Sequence, residues 1–402
     1  MLKRLIAIAV IFCGASIAWL ILGQTILART NESDSTQTEK LTAQWGSAQT
    51  QTAPDVFARI AVDTYNADKK RVERSYEDVA VPFLSTKIDV DLGLEQRRKG
   101  LLWYNLYAVK FVSHYRIRNA TNSSRLSLHF PFPSADGSYT NFACRIGGLP
   151  IDDATALSGN RVSFSLDPGR ETTIDVSYMS RGMESWQYRF GDGVQSLSNF
   201  SLAMTTDFSA IDFPPKTLLP VSEARYGNGW RLVWNYTSLV TGNGIGMAFP
   251  IPLQPGPLAQ RITFWAPIAL LFYLFVMLVV TTLRKVDLHP VNYFFLACAF
   301  FAFHLLFAYL VDRIPIEVAF AICSVVSMAL TITYLRLVVG WQFAAVESGI
   351  AQFLYLVLFS YALFNEGWAG LAITCGAIVT LFAMMQLTGR VSWRERFAPL
   401  SS

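Results

Sequence analysis

The stretch LLFYLFVMLVVTTL at residues 270–283 carries no charged side chain. Extended back to Ile262, it is long enough to cross a bilayer. Four more such runs follow after short turns. They are YFFLACAFFAFHLLFAYLV at 293–311, VAFAICSVVSMALTITYL at 318–335, IAQFLYLVLFSYALF at 350–364 and LAITCGAIVTLFAMMQL at 371–387. Hydrocarbon offers no water to backbone N–H and C=O groups, so each run is read as a spanning helix. The run at 350–364 is short, so its helix must begin before Glu347, tilt, or sit in thinner bilayer.

Working outward, the N-terminus supplies a sixth span. Lys3 and Arg4 precede an apolar run from Leu5 to about Leu22, with a second stretch reaching Leu27. A signal-peptide core is only about 7–15 residues long. No small-x-small cleavage site follows, so an uncleaved anchor over residues 1–27 is expected. Basic residues at 3–4, 284–285, 336 and 390–396 all fall on one side of this plan, which places both termini in the cytoplasm. Arg313, beside Asp312, is the exception among the short loops. Trp265, Trp341, Trp368 and Trp393 lie near helix ends, where indole rings favour the interface.

Composition agrees. Of 402 residues, 52% are hydrophobic and 15% charged, against about 25% charged in soluble domains. The net charge of +4 is small and dispersed, which argues against nucleic acid and leaves the lipid bilayer as the expected partner.

The insert between the first and second helices reads as β structure. Leu126, Leu128, Phe130 and Phe132 alternate with polar or turn residues. So do Val162, Phe164 and Leu166, then Ile174, Val176 and Tyr178. Trp186, Tyr188 and Phe190 repeat the pattern, as do Leu232, Trp234 and Tyr236. A period of two buries one face of each strand. Two packed antiparallel sheets are expected. The fold class is thus a polytopic α-helical membrane protein, with one N-terminal plus five C-terminal helices and an extracytoplasmic all-β, sandwich-like domain. Its expected divisions are an anchor at 1–27, a polar tether at 28–78, the β domain at 79–249, a Pro-rich linker at 250–261 and a helical bundle at 262–402. Of five cysteines only Cys144 falls in the β domain, so no disulfide can form within it.

Several blocks resemble one family. Thr42-Ala-Gln-Trp-Gly-Ser-Ala-Gln-Thr is similar to the start of the exported region of the CreD (Cet) inner-membrane proteins. The basic turn Arg97-Arg98-Lys99-Gly100 with Tyr107-Ala-Val-Lys-Phe, the helix opening His289-Pro-Val-Asn-Tyr, and the endings Thr333-Tyr-Leu-Arg and Thr388-Gly-Arg-Val-Ser-Trp resemble later blocks. The resemblance implies an inner-membrane protein tied to envelope stress or integrity. It implies no established reaction and carries over no catalytic residue.

Candidate chemistry is sparse. His304 is the only ionisable residue deep in an expected helix, and an intramembrane titratable group is a functional candidate by default. Ser324, Ser327 and Thr331 on a neighbouring helix could partner it, which makes packing the simpler role. Ala372, Gly376 and Thr380, four apart, form a possible helix-packing face. Asp89 and Asp91 read as a solvated strand face, and His114 and His129 lack a metal-ligand pattern. Residues 242–246 (Gly-Asn-Gly-Ile-Gly) are glycine-rich but lack the helix a phosphate loop uses. No catalytic, cofactor or metal residues are expected. The leading expectation is binding of an envelope protein, peptide or lipid by the β domain. The alternatives are a channel or transporter in the bundle, and a sensor that passes a signal to a partner protein; the oligomeric state stays open.

Overall fold

The computed structural model describes residues 2–66, 71–151 and 161–389. Arg390, Trp393, Arg394 and Arg396 lie outside that set. Two compact units emerge. The helical unit holds residues up to 35, residues 100–102 and residues from 253 onward, and the sheet unit holds the rest.

Among the described residues, six helices are long and apolar enough to cross a membrane. They are α1 (Leu2–Trp45), α2 (Pro255–Leu283), α3 (Pro290–Leu310), α4 (Ile316–Val338), α5 (Phe343–Ala362) and α6 (Ala369–Thr388). The one-plus-five plan is therefore present. Helix α1 is far longer than an anchor of 27 residues, and the difference has a local cause. No glycine or proline lies between Gly23 and Gly46, so nothing stops a helix once it has started. The stop comes at Gly46, whose φ is +85° and whose amide donates to the Thr42 carbonyl at 2.8 Å. The expected polar tether at 28–78 is thus ordered helix to Trp45, with strands beyond it.

Helix α2 also starts earlier than Ile262. Pro255 and Pro257 stand in its first turn, where a missing N–H costs nothing. Only Pro250 and Pro252 remain as linker. Helix α5 begins before Glu347 and contains two π-helical turns, Phe343–Ser348 and Phe353–Leu358. The bundle core is aromatic, with Tyr273, Phe300, Phe303, Phe307 and Trp19 fully buried. Leu101 joins this core, and its carbonyl accepts from Gly256 N at 2.9 Å.

In the sheet unit an eight-stranded sheet runs in the order β13 (Ser222–Tyr226), β14 (Gly229–Thr241), β12 (Gln195–Thr206), β4 (Phe83–Lys99), β5 (Leu102–Arg118), β10 (Glu171–Met183), β7 (Tyr139–Ile146) and β8 (Leu149–Pro150). A second sheet has the order β3 (Arg71–Ala80), β2 (Asp55–Asn66), β6 (Arg125–His129) and β9 (Arg161–Ser165). A third holds β1 (Gln49–Thr52), β11 (Ser185–Arg189) and β15 (Ile245–Ala248). Alternation sets the faces: Ile88, Val90 and Leu92 are buried, while Asp89 and Asp91 between them are not. All three sheets feed one core, with Leu128, Trp186, Phe200, Trp234 and Ile174 fully buried.

The expectation of purely antiparallel sheets needs correction. β12 pairs with β4 in parallel, and so does β1 with β11. Parallel neighbours need a long connection, and here each pair is separated by many strands in sequence. Period-two patterning gives the buried face but not the direction of the neighbour. Trp234 anchors the eight-stranded sheet, and its indole N–H donates to the Leu218 carbonyl at 2.9 Å. Trp234→Ala should cost about 3–5 kcal/mol. The check is thermal unfolding followed by β-sheet circular dichroism, with a midpoint lowered by roughly ten degrees.

Candidate functional site

Helix α1 ends in a cradle built by the sheet unit. The Trp45 ring lies under two guanidinium groups, Arg97 at 4.9 Å and Arg181 at 5.0 Å from its centre. Each such contact is worth roughly 0.5–1 kcal/mol at a partly exposed site. Arg97 also donates to Glu95 Oε1 at 2.6 Å. Gly46 passes so close to β10 that an added Cβ would sit 3.1 Å from the Arg181 carbonyl.

The chain then buries two glutamine side chains. Gln49 Nε2 donates to Ser180 Oγ at 2.6 Å and to the Arg181 carbonyl at 2.7 Å. Gln51 Nε2 donates to the Pro131 carbonyl at 3.0 Å, and its Oε1 accepts from Tyr178 OH at 2.8 Å. Ser47 and Ser134 share a bond of 2.9 Å. Gln49 Oε1 has no partner among the described residues. Beside this network opens a recess of about 470 Å³, lined by Gln44, Trp45, Asp136, Thr140, Met179 and Arg181 among others. That volume falls within the range of small-ligand sites.

Burial shifts the titratable groups of this core. The phenols of Tyr107, Tyr178 and Tyr188 are pushed well above their ordinary value, chiefly by desolvation, and Tyr115 rises to about 12 for the same reason. The Cys144 thiol is pushed up to about 11 by burial, with Asp175 adding to the rise. Burial here favours the protonated forms. Their contribution is complete below the unfolded values and fades as pH climbs through the folded ones. The unfolding midpoint of the sheet unit should therefore fall as pH rises from 9 towards 11, and native Cys144 should resist thiol reagents that label it at once in denaturant. Rapid labelling of the native thiol near neutral pH would contradict this.

In the helical unit His304 sits on α3, fully buried. Its Nδ1 faces the Phe300 carbonyl at 3.2 Å, and the Trp19 ring meets it edge-on at 5.5 Å. None of the three hydroxyls expected to partner it does so. Ser324 donates to the Phe320 carbonyl at 2.8 Å and Ser327 to the Ala299 carbonyl at 2.6 Å, while Thr331 Oγ1 and His304 Nε2 find no partner among the described residues. A helical hydroxyl reaches its own preceding turn or a close carbonyl more readily than a distant ring. The small-residue face of α6 turns towards its own chain. Thr380 meets Tyr355 OH at 2.7 Å, and a Cβ on Gly376 would lie 3.4 Å from Phe272.

The bundle holds polar groups that the apolar runs concealed. Glu347, on the first π-turn of α5, pairs with Arg284 at 2.8 Å. The next residue, Ser348, meets Tyr273 OH at 3.0 Å, and about one helical turn on Gln352 Nε2 donates to Ser327 Oγ at 2.9 Å. Arg4 donates to Thr281 Oγ1 at 2.8 Å and to Tyr293 OH, and Arg29 pairs with Asp312 at 3.2 Å. Glu347 could have been found from the short apolar core of the fifth helix, which forces its start upstream. Outside the bundle, His114 pairs with Asp175 at 2.7 Å, and His129 lies 3.8 Å from Asp55. Among the described residues no three His, Cys, Asp or Glu side chains converge as a metal site.

Comparison with known proteins fits this layout. Residues 234–394 match the family described as inner membrane protein CreD. The match runs from β14 through α6 and bears out the resemblance to CreD read from the sequence. With six apolar helices, it makes the chain a multi-pass inner-membrane protein similar to CreD. No curated protein matches the chain. A solved structure from Legionella pneumophila, described as a nutrient binding protein, is 10% identical, covers 57% of this chain and 76% of that one, and has a TM-score of 0.31. A likeness that slight carries no argument about function.

Proposed function

We propose that this CreD-like chain serves cell-envelope integrity by non-covalent binding, through a sheet unit exposed outside the cytoplasm. The recess beside Trp45 carries this reading. It offers a half-buried aromatic ring, an arginine, a carboxylate and hydroxyls in one concave site, a set suited to orienting an envelope peptide, lipid or protein segment. The basic groups Arg4, Arg284, Lys285 and Arg336 mark the opposite, cytoplasmic side. A second reading, a membrane sensor, is favoured by one observation. Helix α1 contributes residues to both units.

Two experiments test this. In intact spheroplasts, an impermeant maleimide should label Ser198→Cys, on an exposed position of β12; labelling only after lysis would reverse the orientation. In cells, a photo-cross-linking residue at Ala43 should give a discrete adduct that Arg181→Ala abolishes, and Arg181→Ala cells should lose tolerance to detergent stress. Unchanged adducts and tolerance, or a hydrolase activity removed by one Ser or Asp substitution, would overturn the reading.

A further inference from the structure

The glycine-rich stretch at 242–246 lacks a following helix, yet it walls a recess of about 430 Å³ in the sheet unit. Three loops meet there: the one after β11, the one before β13 that carries Pro215 and Lys216, and the one between β14 and β15. Arg189 and Lys216 both line it and both are exposed. Neither makes an ion pair among the described residues. The single carboxylate in the wall is Asp192, so cations are in excess.

The backbone around Lys216 is unusual. Its φ is +62°, a left-handed conformation that a residue with a Cβ rarely adopts. Neighbouring bonds hold it there. The Lys216 carbonyl accepts from Gly244 N at 3.2 Å, and the Gly244 carbonyl accepts from Leu218 N at 2.8 Å. Gly244 is required, because a Cβ would stand 2.6 Å from the Tyr188 carbonyl. An exposed lysine gains no burial in return for this conformation. Strain that the fold over-determines without a packing gain points to a role for the side chain. Gly191 and Gly193 also have positive φ, at 137° and 72°, which lets backbone N–H groups approach a bound group without a side chain in the way.

We propose that this recess binds a small oxyanion of the phosphate class, with Arg189 and Lys216 as its cationic contacts and the turn at residues 191–193 supplying neutral donors. A guanidinium and an ammonium together give such an anion charge-assisted bonds from two directions. A free phosphate ester and a phospholipid headgroup share this chemistry. The site has no lining residue in common with the Trp45 recess, so either can fail while the other stands.

The test uses the full chain in phosphatidylcholine nanodiscs, titrated with inorganic phosphate and with glycerol 3-phosphate. Amide hydrogen exchange at 189–194, 216–218 and 241–244 should slow saturably, and less so at high salt. Arg189→Gln and Lys216→Asn should each raise the half-saturation concentration at least tenfold. Asn tolerates the left-handed backbone, so K216N keeps the loop while removing the charge. Arg116→Gln, on the polar face of β5, should leave binding unchanged. Tighter binding of glycerol 3-phosphate would point to an ester or headgroup, and equal binding to the free anion. No saturable protection with either probe, or unchanged half-saturation in both variants, would overturn the proposal.

Discussion

A backbone amide in hydrocarbon must find its partner within the protein, because no water can replace it. That constraint shapes the helical unit down to its side chains. Hydroxyls in the apolar runs turn back to the carbonyl four residues earlier: Ser16 to Phe12, Thr25 to Ile21, Thr282 to Leu278, Thr374 to Gly370 and Thr388 to Met384. Each of these five hydroxyls is satisfied inside its own helix, so these residues pass through lipid without needing a partner helix. The longer polar side chains cannot do this. Gln352, Tyr273 and Tyr355 are instead paired across helices, to Ser327, Ser348 and Thr380. These bonds fix which faces meet, a task that apolar contact with lipid-like neighbours performs poorly.

Charge follows the same economy. Arg4 and Arg29 are separated by 25 positions of continuous helix, or about 37 Å along the axis. That is close to the width of a bilayer with part of its headgroup layer. Each guanidinium also lies near a tyrosine ring, Tyr293 for Arg4 and Tyr309 for Arg29. Aromatic and cationic groups at the two ends of one rod define its vertical position. Asp312, in the loop that holds the stray Arg313, becomes intelligible as the carboxylate that neutralises Arg29.

Much of this architecture was legible in the sequence. The apolar runs located all five C-terminal helices, and the alternation at residues such as Ile174, Val176 and Tyr178 located strands with their buried faces. Three things were hidden, each for a physical reason. Polar composition at residues 28–45 suggested a mobile or weakly helical tether, although helix continuation depends on the absence of breakers more than on hydrophobicity. Strand direction was hidden because it is set by partners distant in sequence, as with β4 and β12. The candidate site was hidden because its parts come from the end of α1, from β4 and from β10, and only the tertiary fold brings Trp45, Arg97 and Arg181 together.

The segment from Thr42 to Gln51 shows how several demands meet in one short sequence. Thr42 supplies the carbonyl that closes α1, and Gly46 supplies the left-handed turn that ends it. Trp45, on the last helical position, is held by two arginines from separate strands. Gln49 and Gln51 then enter a core crowded with tyrosines and meet it with amide hydrogen bonds. An apolar pair there would leave the Tyr178 hydroxyl and the Pro131 carbonyl unpaired in low dielectric, at about 1–3 kcal/mol each. Buried amides with fixed partners on β10 and at Pro131 hold β1 in one position, where plain hydrophobic contact would permit a slip. The end of the helix, the position of the recess and the first strand pairing are therefore one structural decision, and a change in any of these residues must be felt by the other two.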